Sequence, residues 1–173
     1  MGKFILVTGG ARSGKSVFSE NTALKLGKEF TYIATMQGKD GELKERIKSH
    51  QSSRSRVWKT IEEPVNVFEV LKKEDKKGKV ILIDCLTLLV SNWMFKNYSM
   101  KKIGEKSGEL AEYCKNAKSS IVIVTNEVGM GVVPVSKMGR YFRDAQGKAN
   151  QIMAKNADKV YFMVSGLPMK LKS

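Results

Sequence analysis

Residues Gly9–Ser16 read GGARSGKS and come directly after the apolar run FILVT. The spacing G-x-x-x-x-G-K-S is that of a loop whose backbone amides cradle phosphate groups, the P-loop. Gly9 and Gly14 let the chain turn tightly with its amide hydrogens aimed inward at an anion. Lys15 brings a point charge to the outer phosphates, and the Ser16 hydroxyl suits magnesium. A helix is expected from Lys15 onward, and its positive end strengthens the same field. Strand, loop and helix therefore occur in the order that phosphate binding needs.

A second group stands further along the chain. Asp84 closes the apolar stretch VILID, where P-loop proteins keep an acid that binds magnesium, often through water. The loop and this acid together define a nucleoside triphosphate site, without separating hydrolase, kinase and nucleotidyltransferase. The segment ERIKSHQSSR narrows the choice. On a helix, Arg46, His50 and Arg54 fall four residues apart and share one face. Imidazole is a competent nucleophile toward phosphorus, and flanking guanidinium groups would stabilise the phosphate under attack. The same charges would hold the imidazole neutral near neutral pH. A histidine with a structural or solvated role is the alternative, and the residues alone leave both open.

Elements that position these groups can be read from the apolar pattern. Short apolar runs alternate with helical periodicity, which implies an α/β domain with a mostly parallel central sheet flanked by helices. KFILVT opens the sheet, and Val17, Phe18, Ala23, Leu24 and Leu26 recur at helical spacing behind Lys15. Further strands are expected at Phe30–Thr35, Val57–Glu63, Lys79–Leu86, Ser120–Glu127 and Lys159–Gly166. Residues 41–53 read as a polar helix. Val65, Phe68 and Leu71 mark another, and residues 88–95, 100–116 and 140–156 complete the set. MKLK near the end suits a short edge strand. Gly129, Gly131 and Pro134 break the chain into a loop, NEVGMGVVP, whose glycines permit close approach to a ligand. Glu127 and Arg140 beside it could orient substrate, or the loop could shape a subunit contact. The sequence shows neither repeat nor linker, so one domain over residues 1–173 is expected.

Composition limits the functional classes. No apolar stretch approaches the ~20 residues that span a bilayer. The opening MGKFILVTGG turns polar too soon for a signal peptide, so a cytoplasmic protein is expected. Cys85 and Cys114 lie far apart and form no C-x-x-C, and a single histidine argues against a Cys/His zinc site. The net charge of +14, from 31 Lys and Arg against 17 Asp and Glu, raises the possibility of nucleic-acid binding. The charge is scattered, however, and no aromatic platform is interleaved with arginine. Solubility and attraction of polyphosphate anions account for it, and no nucleic-acid partner is expected.

The sequence resembles the bifunctional adenosylcobinamide kinase / adenosylcobinamide-phosphate guanylyltransferase family of cobalamin synthesis. The stretches that carry the resemblance are LVTGGARSGKS, YIAT, RIKSHQSSR with WKTIEEP, LIDCLTLLVSN, VTNEVGMGVVP with GRYFRDAQGKANQ, and VSGLPMKLK. They follow the family's order from end to end, and the histidine segment and VTNEVGMGVVP are far more specific than the P-loop. The resemblance implies a RecA-like P-loop NTPase fold, a tendency to form homotrimers, and two reactions. Adenosylcobinamide is phosphorylated with ATP or GTP, and GMP then passes from GTP through a guanylyl-histidine to adenosylcobinamide phosphate. His50 matches the guanylylated position and Lys15 the P-loop lysine. The implied nucleotide contacts are Gly9, Gly10, Ala11, Arg12, Ser13, Gly14, Lys15 and Ser16. Ala34, Thr35, Met36, Gln51, Ser52, Ser53, Arg54, Glu62 and Asp84 complete them, with Ser16 and Asp84 serving Mg2+. Rival readings are a simple P-loop kinase with an inert histidine and a basic nucleic-acid-binding ATPase.

Overall fold

The apolar runs become seven strands of one sheet. The computed structural model describes residues 1–36 and 57–173. In chain order the elements are β1 (Phe4–Gly9), α1 (Lys15–Leu24), β2 (Glu29–Ala34), β3 (Trp58–Glu62), α2 (Val67–Glu74), β4 (Lys79–Asp84), α3 (Leu86–Phe95), α4 (Met100–Asn116), β5 (Ser120–Val124), α5 (Lys137–Asn156), β6 (Lys159–Val164) and β7 (Leu167–Lys172). The strand order is β3-β2-β4-β5-β1-β6-β7. Every neighbouring pair is parallel except β6 and β7, which form an antiparallel hairpin at the edge.

Alternation along the central strands divides the core into two layers. Ile5, Val7, Val80, Leu82, Val122 and Val124 face the layer that holds Phe18 and Ala23 of α1. Phe4, Leu6, Ile81, Ile83, Ile121 and Ile123 face the opposite layer with α2, α3, α4 and α5. Both faces of the central strands are covered, which explains why these strands are apolar on both faces along their middles.

Boundaries shift where apolarity alone does not distinguish strand from helix. The run from Lys79 stops being a strand at Asp84, and Leu86 already belongs to α3. Cys85 is held off the ladder by Thr35, whose hydroxyl accepts from the Cys85 amide and donates to its carbonyl, each at 2.8 Å. Leu86, Leu89, Val90 and Trp93 then form a buried helix face, so the apolar signal continues across the junction. Likewise β5 ends at Val124 rather than Glu127. Helix α5 starts at Lys137 because Ser136 caps it, accepting from the Gly139 amide at 3.0 Å. In α1 the apolar periodicity overstates burial: Val17 and Leu24 are exposed, and Ala23 carries the packing. Among the described residues no helix is long and apolar enough to cross a membrane.

Candidate functional site

Strand register brings candidate residues from three strands into one row. Ala34 on β2 lies opposite both Glu62 on β3 and Asp84 on β4. Asp84 in turn pairs with Val124 on β5, and Val124 with Val7 on β1. The P-loop therefore leaves the sheet just above the level of Asp84, with β5 between their strands. In-register positions on neighbouring strands share a face. Ala34, Glu62 and Asp84 accordingly lie on the α1 side of the sheet, since Tyr32 and Leu82, two positions earlier, both line that layer.

The loop itself takes the turns its glycines allow. Gly14 caps α1 in the left-handed region at φ 90, and Arg12 also adopts positive φ at 56. Lys15 is buried, with its Nζ donating to the Gly10 carbonyl at 2.5 Å and to Ser13 Oγ at 3.5 Å. Its ammonium thus lies back against its own loop. Burial pushes the Lys15 pKa below the ordinary lysine range, while Cys85 and Asp84 pull it the other way. Asp84 is half-buried, and its Oδ2 accepts a hydrogen bond from the Tyr32 hydroxyl at 2.6 Å.

Thr35 and Met36 follow β2 at the same end of the sheet. Asn92 of α3 donates one amide to the Thr35 carbonyl at 2.9 Å and to the Pro64 carbonyl at 2.8 Å. This clamp joins the ends of β2 and β3, and the Thr35 hydroxyl is engaged with Cys85. His50, Gln51, Ser52, Ser53 and Arg54, the helix expected over 41–53 and the proposed alignment of Arg46 with His50 all lie outside the described residues.

Three groups of supporting residues were not singled out from the sequence. Tyr32 is the first, since it orients Asp84 from two positions before Ala34 on the same strand face. The β6–β7 turn is the second. Ser165 and Gly166 both have positive φ, at 50 and 85, as a two-residue hairpin requires, and the Gly166 amide donates to the Ser13 carbonyl at 3.1 Å. A Cβ on Gly14 would stand 3.2 Å from the Gly166 Cα, so the loop and the hairpin tip meet backbone to backbone. The dipeptide Ser165-Gly166 between two apolar runs is the signal that would have revealed this turn.

The third is a buried polar network beneath the loop after β5. Thr125 Oγ1 donates to Asn150 Oδ1 at 2.7 Å and accepts from Gln146 Nε2 at 2.8 Å. Asn150 holds the Asn126 carbonyl at 3.0 Å, and the Asn126 amide donates to Thr87 Oγ1 at 2.6 Å. The Glu127 amide then donates to the Gly9 carbonyl at 3.0 Å. Glu127 and Arg140 turn toward their own loop. The Glu127 carboxylate accepts from the Gly129 and Met130 amides at 2.7 and 3.0 Å, and Arg140 donates to the Pro134 and Val135 carbonyls at 3.1 and 2.6 Å. Both side chains shape the loop that the sequence offers either for orienting substrate or for a subunit contact.

Cys85 and Cys114 are buried free thiols, and burial raises the Cys85 pKa to about 12, so it stays protonated and inert near neutral pH. A hydroxyl on Ser16 and a carboxylate on Asp84 are hard oxygen donors of the kind magnesium accepts. With Oδ2 bonded to Tyr32, Asp84 retains a second oxygen for such a role.

A parallel sheet with a phosphate loop after β1 and an acid at the end of β4, separated by β5, defines a RecA-like P-loop NTPase fold. A solved ATPase domain agrees, with a TM-score of 0.53 at 13% identity over 92% of this chain and 68% of its own. The chain belongs to the cobinamide kinase / cobinamide phosphate guanyltransferase family, CobU, whose model matches residues 5–171. It is similar to the bifunctional adenosylcobalamin biosynthesis protein CobP of Pseudomonas aeruginosa, 40% identical over 96% of each chain. It is also similar to the protein CobU of Escherichia coli, which carries the same bifunctional description, 37% identical over 97% of this chain and 99% of its own. Membership makes the chain a nucleotide-dependent, bifunctional cobinamide kinase and guanyltransferase.

Proposed function

We propose that the chain phosphorylates adenosylcobinamide with ATP or GTP and then passes GMP from GTP, through guanylyl-His50, to adenosylcobinamide phosphate, giving adenosylcobinamide-GDP. The observation that best supports a shared nucleotide site is the row of Glu62, Ala34 and Asp84 at one strand level, beside a P-loop with a buried Lys15. In this reading the amides of Gly9, Gly10, Ala11, Arg12, Ser13 and Gly14 hold the phosphates, and Lys15 neutralises charge on the outer ones. Ala34, Thr35, Met36, Gln51, Ser52, Ser53, Arg54 and Glu62 contact the remainder of the nucleotide. Ser16 and Asp84 would hold Mg2+, which when bound offsets charge on the phosphate oxygens.

In the kinase step the aminopropanol hydroxyl attacks the γ phosphorus, loses its proton, and the nucleoside diphosphate departs. In the second step an imidazole nitrogen of His50 attacks the α phosphorus of GTP, and the bond to pyrophosphate breaks. A phosphate oxygen of adenosylcobinamide phosphate then displaces the imidazole, forming the new diphosphate bond and freeing His50. Residues 1–173 act as one nucleotide-binding domain in this scheme, which fits seven strands sharing one sheet. The family resemblance supports a homotrimer, and the cytoplasm supplies both nucleotides. Sedimentation and fractionation test those two points.

The test of mechanism uses GTP labelled at the α or the γ phosphate. Label from the α position should become bound to the chain, and γ label should not. The adduct, a phosphoramidate, should be labile to acid and stable to base. His50→Ala should abolish adduct and guanylyl transfer while kinase activity persists at least in part. An adduct that survives in His50→Ala would refute the intermediate, because the chain holds 1 histidine. Absence of any adduct in the native chain, with phosphorylation intact, would favour a kinase whose histidine is inert.

A further inference from the structure

The loop from Gly129 to Ser136 is unusual for this chain. Eight consecutive residues, GMGVVPVS, carry no charge in a protein that is 28% charged. Met130, Val132, Val133 and Val135 are exposed, with Val132 and Val135 at 95% and 97%. The loop is nevertheless built. Glu127 fixes its first amides and Arg140 its last carbonyls. Two ionic side chains thus fix a backbone that presents valines to water. An exposed apolar patch with that much support marks a binding surface.

The patch continues onto the helices behind it. Phe95 at the end of α3 and Met138 at the start of α5 are also exposed. Between them runs an open groove of about 350 Å³, lined by Ser91, Met94, Phe95, Met138 and Phe142. At its other end the loop begins beside the P-loop, where the Glu127 amide bonds the Gly9 carbonyl. A surface that starts next to the phosphate loop and extends outward without charge suits a substrate with a reactive hydroxyl on a tether and a broad apolar body.

We infer that this ledge, centred on Val132, Val135, Phe95 and Met138, seats the corrin macrocycle of the cobinamide substrate while its aminopropanol arm reaches the P-loop. The inference rests on the proposed function and adds the residues that receive the corrinoid. Away from the axial positions of its cobalt the macrocycle is hydrocarbon, and its rim carries neutral amides, so its body can be buried against valine, methionine and phenylalanine. The ledge serves both reactions, since the corrin body is the same in adenosylcobinamide and its phosphate.

The test is equilibrium dialysis of adenosylcobinamide against the native chain and the double variant Val132→Asp/Val135→Asp. Both positions are almost fully exposed, so folding should be retained, which the thermal midpoint checks. Affinity for adenosylcobinamide should fall about ten-fold or more, since two apolar contacts become charged, while GTP affinity changes by less than about two-fold. The conservative pair Val132→Ile/Val135→Ile should bind both ligands as the native chain does. Unchanged corrinoid affinity in the aspartate variant would overturn the ledge and leave the proposed function intact. A loss seen only together with a change of sedimentation would also overturn it, assigning the surface to a second copy of the chain. If the native chain failed to bind adenosylcobinamide, the proposed function would fall with it.

Discussion

The two ends of the sheet treat charge in opposite ways. At the end where β2 and β4 begin, Lys79 reaches Glu74 at 2.5 Å and Glu29 at 2.9 Å. Lys59 meets the same Glu74 at 2.6 Å, and the Thr31 hydroxyl donates to it at 3.1 Å. Asp75 accepts from the Ser119 amide at 2.7 Å, and Asp158 from the Phe4 amide at 2.7 Å. Charges there are matched with partners from other elements. At the opposite end, Lys15 is buried against atoms of its own loop, and Glu127 and Arg140 bond only backbone of theirs among the contacts described. One end fastens the fold by pairing charges between elements, and the other keeps its charges within single loops. Ligands of open α/β sheets bind at this second end, beyond the carboxyl ends of the strands.

Substitutions at the two ends should therefore separate activity from stability. Lys15→Ala should have the largest effect, cutting both phosphorylation and guanylyl transfer on the order of 100-fold or more. Its thermal midpoint should hold or rise, because a buried ammonium is removed. Full rates in both assays would refute the role of Lys15. Glu74→Gln should do the reverse, with catalysis retained and about 2 kcal/mol of stability lost at neutral pH, after allowance for the exposed Lys59 partner. Hydrogen bonds from Lys59 and Lys79 lower the Glu74 pKa to about 2, well below the ordinary 4.5. The sign follows: its stabilisation is complete above the ordinary value and is lost as pH falls through the folded one. Denaturant titrations of native and variant protein should converge across that interval, and a constant gap down to the acid limit would contradict the pairing.

Two smaller changes probe the acid at the functional end. Asp84→Asn should slow magnesium-dependent turnover on the order of ten-fold, with partial recovery in excess magnesium. Turnover independent of magnesium in that variant would show the assignment to be wrong. Tyr32→Phe removes the donor to Asp84 and should raise the magnesium needed for half-maximal rate by about three-fold, with little change in the rate at saturation. A fall in saturated rate alone would assign Tyr32 a different part.

The sheet was legible in the sequence because strands covered on both faces are apolar along their middles, as VILID and SIVIV show. The exits from strands were harder to read. Cys85 leaves the ladder through a hydrogen bond to Thr35, a residue 50 positions away, and no local pattern records such a partner. Lys15 was legible from the P-loop motif and Asp84 from its place at the end of VILID, since each carries its signal in its own segment. Tyr32, Asn92 and the Thr125–Gln146–Asn150 network act across elements, so their roles emerged only when the strands were in register. The histidine segment is the converse case, with strong residue types and spacing at positions outside the described structure.

The contact between Gly14 and Gly166 also bears on how the protein is made. The phosphate loop is an early motif, yet β1 lies between β5 and β6, and the loop rests on the turn that follows β6. A ribosome that has produced only the first half of the chain has made every residue of the P-loop and none of the strands that flank it. The anion cradle must wait for the far end of the polypeptide to return, a long closure of the kind that slows folding. During synthesis, nucleotide binding should therefore report completion of the fold rather than completion of its motif.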